Sequence, residues 1–230
     1  MFDNSGAAIP NDRVSLMSFS STLTISTPAS IQEITDGQLI WLAKAGHEAM
    51  VAAYNAIPGT PDASGHPAAF VVFAPGDGKK IFLASSLKNV GGEQNLFWGA
   101  GTLTTYLQNC ITQVGVHRAD GKCGEFNTLQ EFYDSNTDGC AIPPGSRMVA
   151  WIKTPKQAAG SVRPPCEGPP NPRPGALPRS GCKEMFDSIG KGNLRAIESG
   201  EPTEPTGLVV VSSNGRNSRH GRPATPPPSR

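Results

Sequence analysis

The sequence predicts an α/β domain: a mixed central sheet of about five strands with helices on its faces. Three observations carry this expectation. Several segments repeat apolar residues at three- and four-residue steps, as helices with one buried face do. Between them lie short runs rich in β-branched and aromatic residues, bounded by Gly and Pro, as strands are. The two kinds interleave in the order α-β-β-α-α-β-α-β-β, and interleaving packs as layers rather than as separate helical and sheet regions.

The first helix is expected after Thr35 or Asp36, both good capping residues. Leu39, Leu42, Ala45, Ala49, Ala53 and Ile57 form its apolar face, and Pro58-Gly59 stops it. Phe70–Phe73 and Ile81–Leu83 flank Pro75-Gly76-Asp77-Gly78, the pattern of a β-hairpin. Leu96, Ala100, Leu103, Leu107, Ile111 and Val114 predict a second helix. A third opens near Cys123, with Phe126, Leu129, Phe132 and Tyr133 on its buried side. Met148–Thr154 reads as a central strand, and Cys182–Ile189 as a short fourth helix stopped by Gly190. Leu194–Ile197 and Leu208–Val211 are the last strands expected.

Composition sets the frame around these elements. Of 230 residues, 26 are Gly and 22 Pro, so turns and loops take a large share. Residues 1–30 are rich in Ser, Thr, Gly and Ala without periodicity and read as a flexible leader. Residues 213–230 hold four arginines and no acidic residue, and read as a basic, Pro-rich disordered tail. The domain is expected between them, at 31–212. The whole chain carries a formal charge of +1, and without the tail its balance is negative. A folded part of that balance is not the basic platform of a tight nucleic-acid binder. No run is long and apolar enough for a membrane helix. The first residues lack the charged start and apolar run of a secretory signal, which points to an intracellular chain with reduced cysteines.

The chemistry is concentrated in the cysteines. Cys123-Gly124-Glu125 opens a predicted helix, a strand follows, and Pro165-Cys166 comes next. Thiolate ligands at a helix start gain from the dipole there, and a carboxylate two residues on lies beside a bound metal without ligating it. This order resembles the cytidine-deaminase-like superfamily, whose signature is [HC]-x-E followed by P-C-x-x-C. The hairpin and helix ahead of it match that fold's β-β-α start, and the resemblance covers roughly residues 36–200. It implies a layered deaminase-like domain with Zn2+ on Cys123, Cys166 and a third cysteine, and Glu125 as general acid/base. It further implies hydrolytic deamination of a nucleobase, cytosine ahead of adenine, in a nucleoside or in single-stranded DNA or RNA. Asn89, after the second strand, resembles the Asn that related nucleoside deaminases place against the sugar.

The third ligand departs from the pattern. Position 169 is Pro169, and the next cysteine is Cys182, with 15 residues between the two cysteines. Eight prolines fall between Pro155 and Pro178, so the segment reads as an extended insertion that returns the chain to the metal at Cys182.

Other readings stand beside this one. A binding module with a purely structural zinc needs a fourth ligand, for which Cys140 and His117 are the candidates. An extracellular protein with two disulfides would leave one of the five cysteines free. Cys110 falls on the apolar side of the second helix and reads as core. Phe97 and Trp98 read as core too, although either could stack on a base. Arg173 and Arg179 in the insertion read as solvated, with substrate phosphate as the alternative.

Overall fold

The computed structural model describes residues 15–17, 19–26, 31–56, 66–86, 88–90, 116–117, 123–135, 141–154, 156–168, 179–206, 208, 210–213 and 219–220. Two short strands come first, β1 (Ser15–Met17) and β2 (Ser20–Ile25), followed by helix α1 (Asp36–Asn55). The hairpin is β3 (Ala69–Ala74) with β4 (Lys80–Ser85), and β5 (Lys88–Val90) and β6 (Val116–His117) come after it. Helix α2 (Gly124–Ser135) leads to β7 (Ser146–Ile152), β8 (Ser161–Arg163) and β9 (Arg179–Ser180). Helix α3 (Cys182–Gly190) precedes β10 (Leu194–Ile197), β11 (Val210–Ser213) and β12 (Arg219–His220).

The main sheet runs β10-β7-β3-β4-β2-β11, with β8 also paired to β7. Only the β10–β7 pair is parallel; every other pair in this sheet is antiparallel. One edge of β7 is divided: Ser146–Val149 pair with β10, and Ala150–Ile152 with β8.

Side-chain alternation sorts the sheet into two buried faces. Phe70, Val72 and Ala74 of β3, Ile81 and Leu83 of β4, and Val149 and Trp151 of β7 pack with α1. Val71, Phe73, Phe82, Met148 and Ala150 point the other way, into the layer formed by α2 and α3. The result is three layers, helix–sheet–helices. Strands covered on both faces need apolar residues at every position, which is why Ala69–Ala74 shows no polar alternation.

Helix α1 begins as its sequence dictates. Thr35 Oγ1 accepts from the Gln38 amide at 3.2 Å, and Gln38 Oε1 accepts from the Thr35 amide at 2.8 Å, a reciprocal capping box. Its buried stripe is Leu39, Ile40, Leu42, Ala43, His47, Met50 and Tyr54. This corrects the expected face, because Ala49 and Ala53 are exposed. Large side chains bury far more area than alanines, so Met50 and Tyr54 set the helix rotation.

Two further differences concern the ends of the domain. Ser20–Ile25, within the stretch read as leader, is a full strand between β4 and β11. Arg219–His220, within the stretch read as tail, pairs with β1. The Leu96–Val114 helix lies outside the described residues. Among the described residues no helix is long and apolar enough to cross a membrane.

Candidate metal centre

Three segments deliver one cysteine each to the same place. Cys123 stands directly ahead of α2, its carbonyl accepting from the Asn127 amide at 3.4 Å. That helix start is seated on the sheet. The Asn127 side-chain amide donates to the Ser85 carbonyl at 2.7 Å, and a β-carbon on Gly124 would come within 2.6 Å of Val71. Further along α2, Phe132 meets Phe73 and Phe82 edge-on, with ring centroids 5.2 and 5.5 Å apart. Such rings bury large areas and fix their relative angle, so the helix holds Cys123 firmly.

Cys166 arrives from the opposite side. Strand β8 pairs with the end of β7, and Pro164 and the buried Pro165 carry the chain on to Cys166. Cys182 is the first residue of α3 and is fully buried. The thiol sulfurs of Cys123, Cys166 and Cys182 all lie within 4.8 Å of one another, close enough to hold one metal ion. All three are free thiols. Two helices present their N-terminal ends to this cluster, an electropositive setting that favours thiolates.

Glu125 lies in the first turn of α2 and is buried. Its carboxylate acts electrostatically on both Cys123 and Cys182. Both thiols are pushed well above the ordinary range. For Cys123 the main cause is its hydrogen bond with Cys166, opposed by the one with Cys182 and reinforced by burial and by Glu125. For Cys182 the hydrogen bonds with Cys123 and Cys166 lead, followed by burial and Glu125. Three neighbouring thiols thus resist separate ionisation, whereas a divalent cation inverts the balance and deprotonates the ligands it binds.

The approach of Cys166 to α3 is held by several short contacts. The Cys182 amide donates to Cys166 Sγ at 3.4 Å, and the Lys183 amide donates to the Cys166 carbonyl at 3.1 Å. Glu184 accepts from the Gly181 amide at 2.7 Å and from the Gly168 amide at 3.1 Å. Lys183 Nζ meets Glu167 Oε1 at 2.7 Å, an exposed ion pair worth little by itself. Sequence reading missed Glu184 and Gly181. A Glu at the third helical position is a capping signal, but a glycine in place of Ser or Thr at the cap hid it.

Cys123, Glu125, Cys166 and Cys182 therefore come together. Asn89 stands in β5 opposite Leu16, in a strand of the small β12-β1-β5 sheet. His117, expected in a loop, is in β6 opposite Ser180, and Arg179 is in the same pair opposite Val116. Phe97, Trp98, Cys110, Cys140 and Arg173 lie outside the described residues.

A separate cleft of about 320 Å³ is lined by Gln32, Ser146, Arg147, Asn193 and Arg195. It adjoins the C-terminal end of α3, a helix length away from Cys182. Its polar groups are engaged within the fold. Arg147 donates to the Ile31 and Ile34 carbonyls at 2.7 and 2.6 Å, and Asp36 binds both Arg147 and Arg195.

No protein-family model matches the chain, and no curated protein or solved structure matches it. The site is therefore argued from its own residues.

Proposed function

We propose that this protein is a zinc-dependent deaminase of the cytidine-deaminase type. It acts on a nucleobase, cytosine ahead of adenine, in a nucleoside or a single strand. One observation carries the reading: cysteines at 123, 166 and 182 converge within 4.8 Å, with Glu125 in the adjoining helical turn. Three thiolates suit zinc, and a three-residue donor set is that of zinc sites that keep a position open for water. When bound there, zinc supplies a Lewis acid that activates water toward a ring carbon bearing an exocyclic amine.

The chain's own residues do the rest. Cys123, Cys166 and Cys182 bind as thiolates, stabilised by two helix N-termini. Glu125 takes a proton from the attacking water and returns protons to the ring nitrogen and the departing amine, so the base gains oxygen and ammonia leaves. Its burial strengthens this role, since proton transfer depends on a carboxylate held in place and partly desolvated.

The test combines metal analysis with ammonia release from cytidine, adenosine and single-stranded oligonucleotides. About one zinc per chain is expected, with turnover of a cytosine substrate. Glu125→Ala keeps the zinc and abolishes turnover. A chain without zinc, or a Glu125→Ala variant as active as the parent, overturns the reading.

A structural zinc site is the second reading, and the β6–β9 pairing favours it. His117 stands opposite Ser180, two residues before Cys182, where it is the residue best placed to close the coordination shell. A His117→Ala variant separates the two. Large loss of zinc supports the closed site, whereas unchanged zinc supports the open one.

A further inference from the structure

The Cys166 and Cys182 arms are joined in sequence by a long insertion but in space by a single carboxylate. Glu184 Oε2 accepts from the Gly168 amide at 3.3 Å and from the Gly181 amide at 2.7 Å, so those two nitrogens are at most about 6 Å apart. Adjacent to this clasp, the Lys183 amide bonds to the Cys166 carbonyl at 3.1 Å and the Cys182 amide to Cys166 Sγ at 3.4 Å. A β-carbon on Gly181 would lie 2.6 Å from the carbonyl carbons of both Cys166 and Glu167, so the arms touch backbone to backbone.

We propose that Glu184 is a positioning residue for the metal centre. It brings the two ends of the insertion together so that Cys166 and Cys182 act as ligands of a short local loop. Residues 166–168 and 181–184 then form a complete ligand-presenting unit, and residues 169–178 are dispensable for metal binding. The physical ground is loop closure. Without the clasp, the chain joining the ligands pays the ordering entropy of a long flexible loop each time the metal binds. A carboxylate bonded to one backbone amide on each side makes that payment during folding. Outer residues that orient ligands in this way typically contribute tenfold to a hundredfold in metal affinity.

This inference rests on the metal-centre reading, and the experiment keeps their failures apart. Zn2+ affinity is measured by chelator competition, and ligand geometry by the Co2+ absorption spectrum. Four full-length proteins are compared: the parent, Glu184→Ala, a parent with residues 169–178 replaced by Gly-Asn, and the combination. Parent protein without Zn2+ affinity overturns the metal centre itself. Given a binding parent, Glu184→Ala is expected to weaken Zn2+ about tenfold to a hundredfold and to alter the Co2+ spectrum. The shortened chain keeps parental affinity. In the combination the Glu184→Ala loss shrinks below threefold, because the covalent tether replaces the clasp. An unchanged affinity in Glu184→Ala overturns the proposal. So does an equal loss in both backgrounds, which would mean that Glu184 acts on the thiols rather than on the loop. If Glu184→Ala does not fold, Glu184→Gln, which keeps an acceptor, is compared in the same two backgrounds under the same criteria.

Discussion

Gly181 sits against the peptide carbonyl of Cys166 so closely that no β-carbon fits between them. The neighbour is backbone, which cannot rotate aside as a side-chain tip can. Gly181→Ala must therefore push the Cys166–Glu167 peptide away and displace one ligand from the other two. Metal affinity is expected to fall at least about tenfold, with far-ultraviolet circular dichroism unchanged. Parental affinity in a chelator titration would show that the turn yields without moving the thiol.

Cys182→Ala is expected to remove the metal outright, since the cluster retains only two thiols. Cys140→Ala should leave metal content intact. The opposite pattern would show that Cys140, not Cys182, completes the ligand set. Metal quantification on the two purified variants decides it.

Arg147 and Asp36 form an ion pair at 3.0 Å, yet their substitutions should differ sharply in effect. Arg147 is buried and satisfies the Ile31 and Ile34 carbonyls, so Arg147→Ala strands two acceptors and costs about 3 kcal/mol. Asp36 is partly exposed, and Arg195 before Arg147 holds its carboxyl below the usual range. Solvent screens that attraction, so Asp36→Asn should cost under about 1 kcal/mol. Denaturant midpoints measure both, and equal losses would contradict this account.

His47 supplies a pH dependence remote from the cysteines. Burial, then the charge of His66 facing it at 5.7 Å between ring centroids, lowers its pKa, with Lys153 acting the same way. Its hydrogen bond with the Ala68 backbone and the charge of Glu48 oppose the shift, and Nε2 has no hydrogen-bond partner. In the unfolded chain histidine titrates near 6.5, above its folded value. Just below that pH the unfolded state binds a proton that the folded state refuses, so stability falls as pH drops. Denaturation midpoints should decline from pH 6.5 downward in the parent and decline less in His47→Leu. Parallel declines would assign the effect to other groups.

Much of the layered fold was legible because its elements announce themselves. The Ala69–Ala74 run, the Pro75–Gly78 turn and the Phe126, Leu129, Phe132, Tyr133 face each follow from side-chain periodicity. The ligand cysteines and Glu125 were legible from their order along the chain. Strand β2 was not, because Ser20-Ser21-Thr22-Leu23-Thr24-Ile25 has the polarity of a linker. Its only apolar clue is the Leu23/Ile25 alternation, and both residues join the α1-side core. The phase of α1 was misread because alanines fit a helical step without burying enough area to choose a face. The Glu184 clasp depends on contacts across 16 residues of sequence, which local patterns do not encode.

The antiparallel pairing of β2 with β11 runs from Ile25 opposite Val210 to Thr22 opposite Ser213. The two strands thus hand their outward-leading ends to the same side of the sheet. A pull applied through those ends loads the cross-strand bonds one rung at a time, like a zip fastener, instead of all together in shear. Tension along the chain should peel β11 at low force while β3, β4 and β7, which carry the helices bearing the cysteines, stay joined. In a pulling trace, a small early step would precede the main rupture.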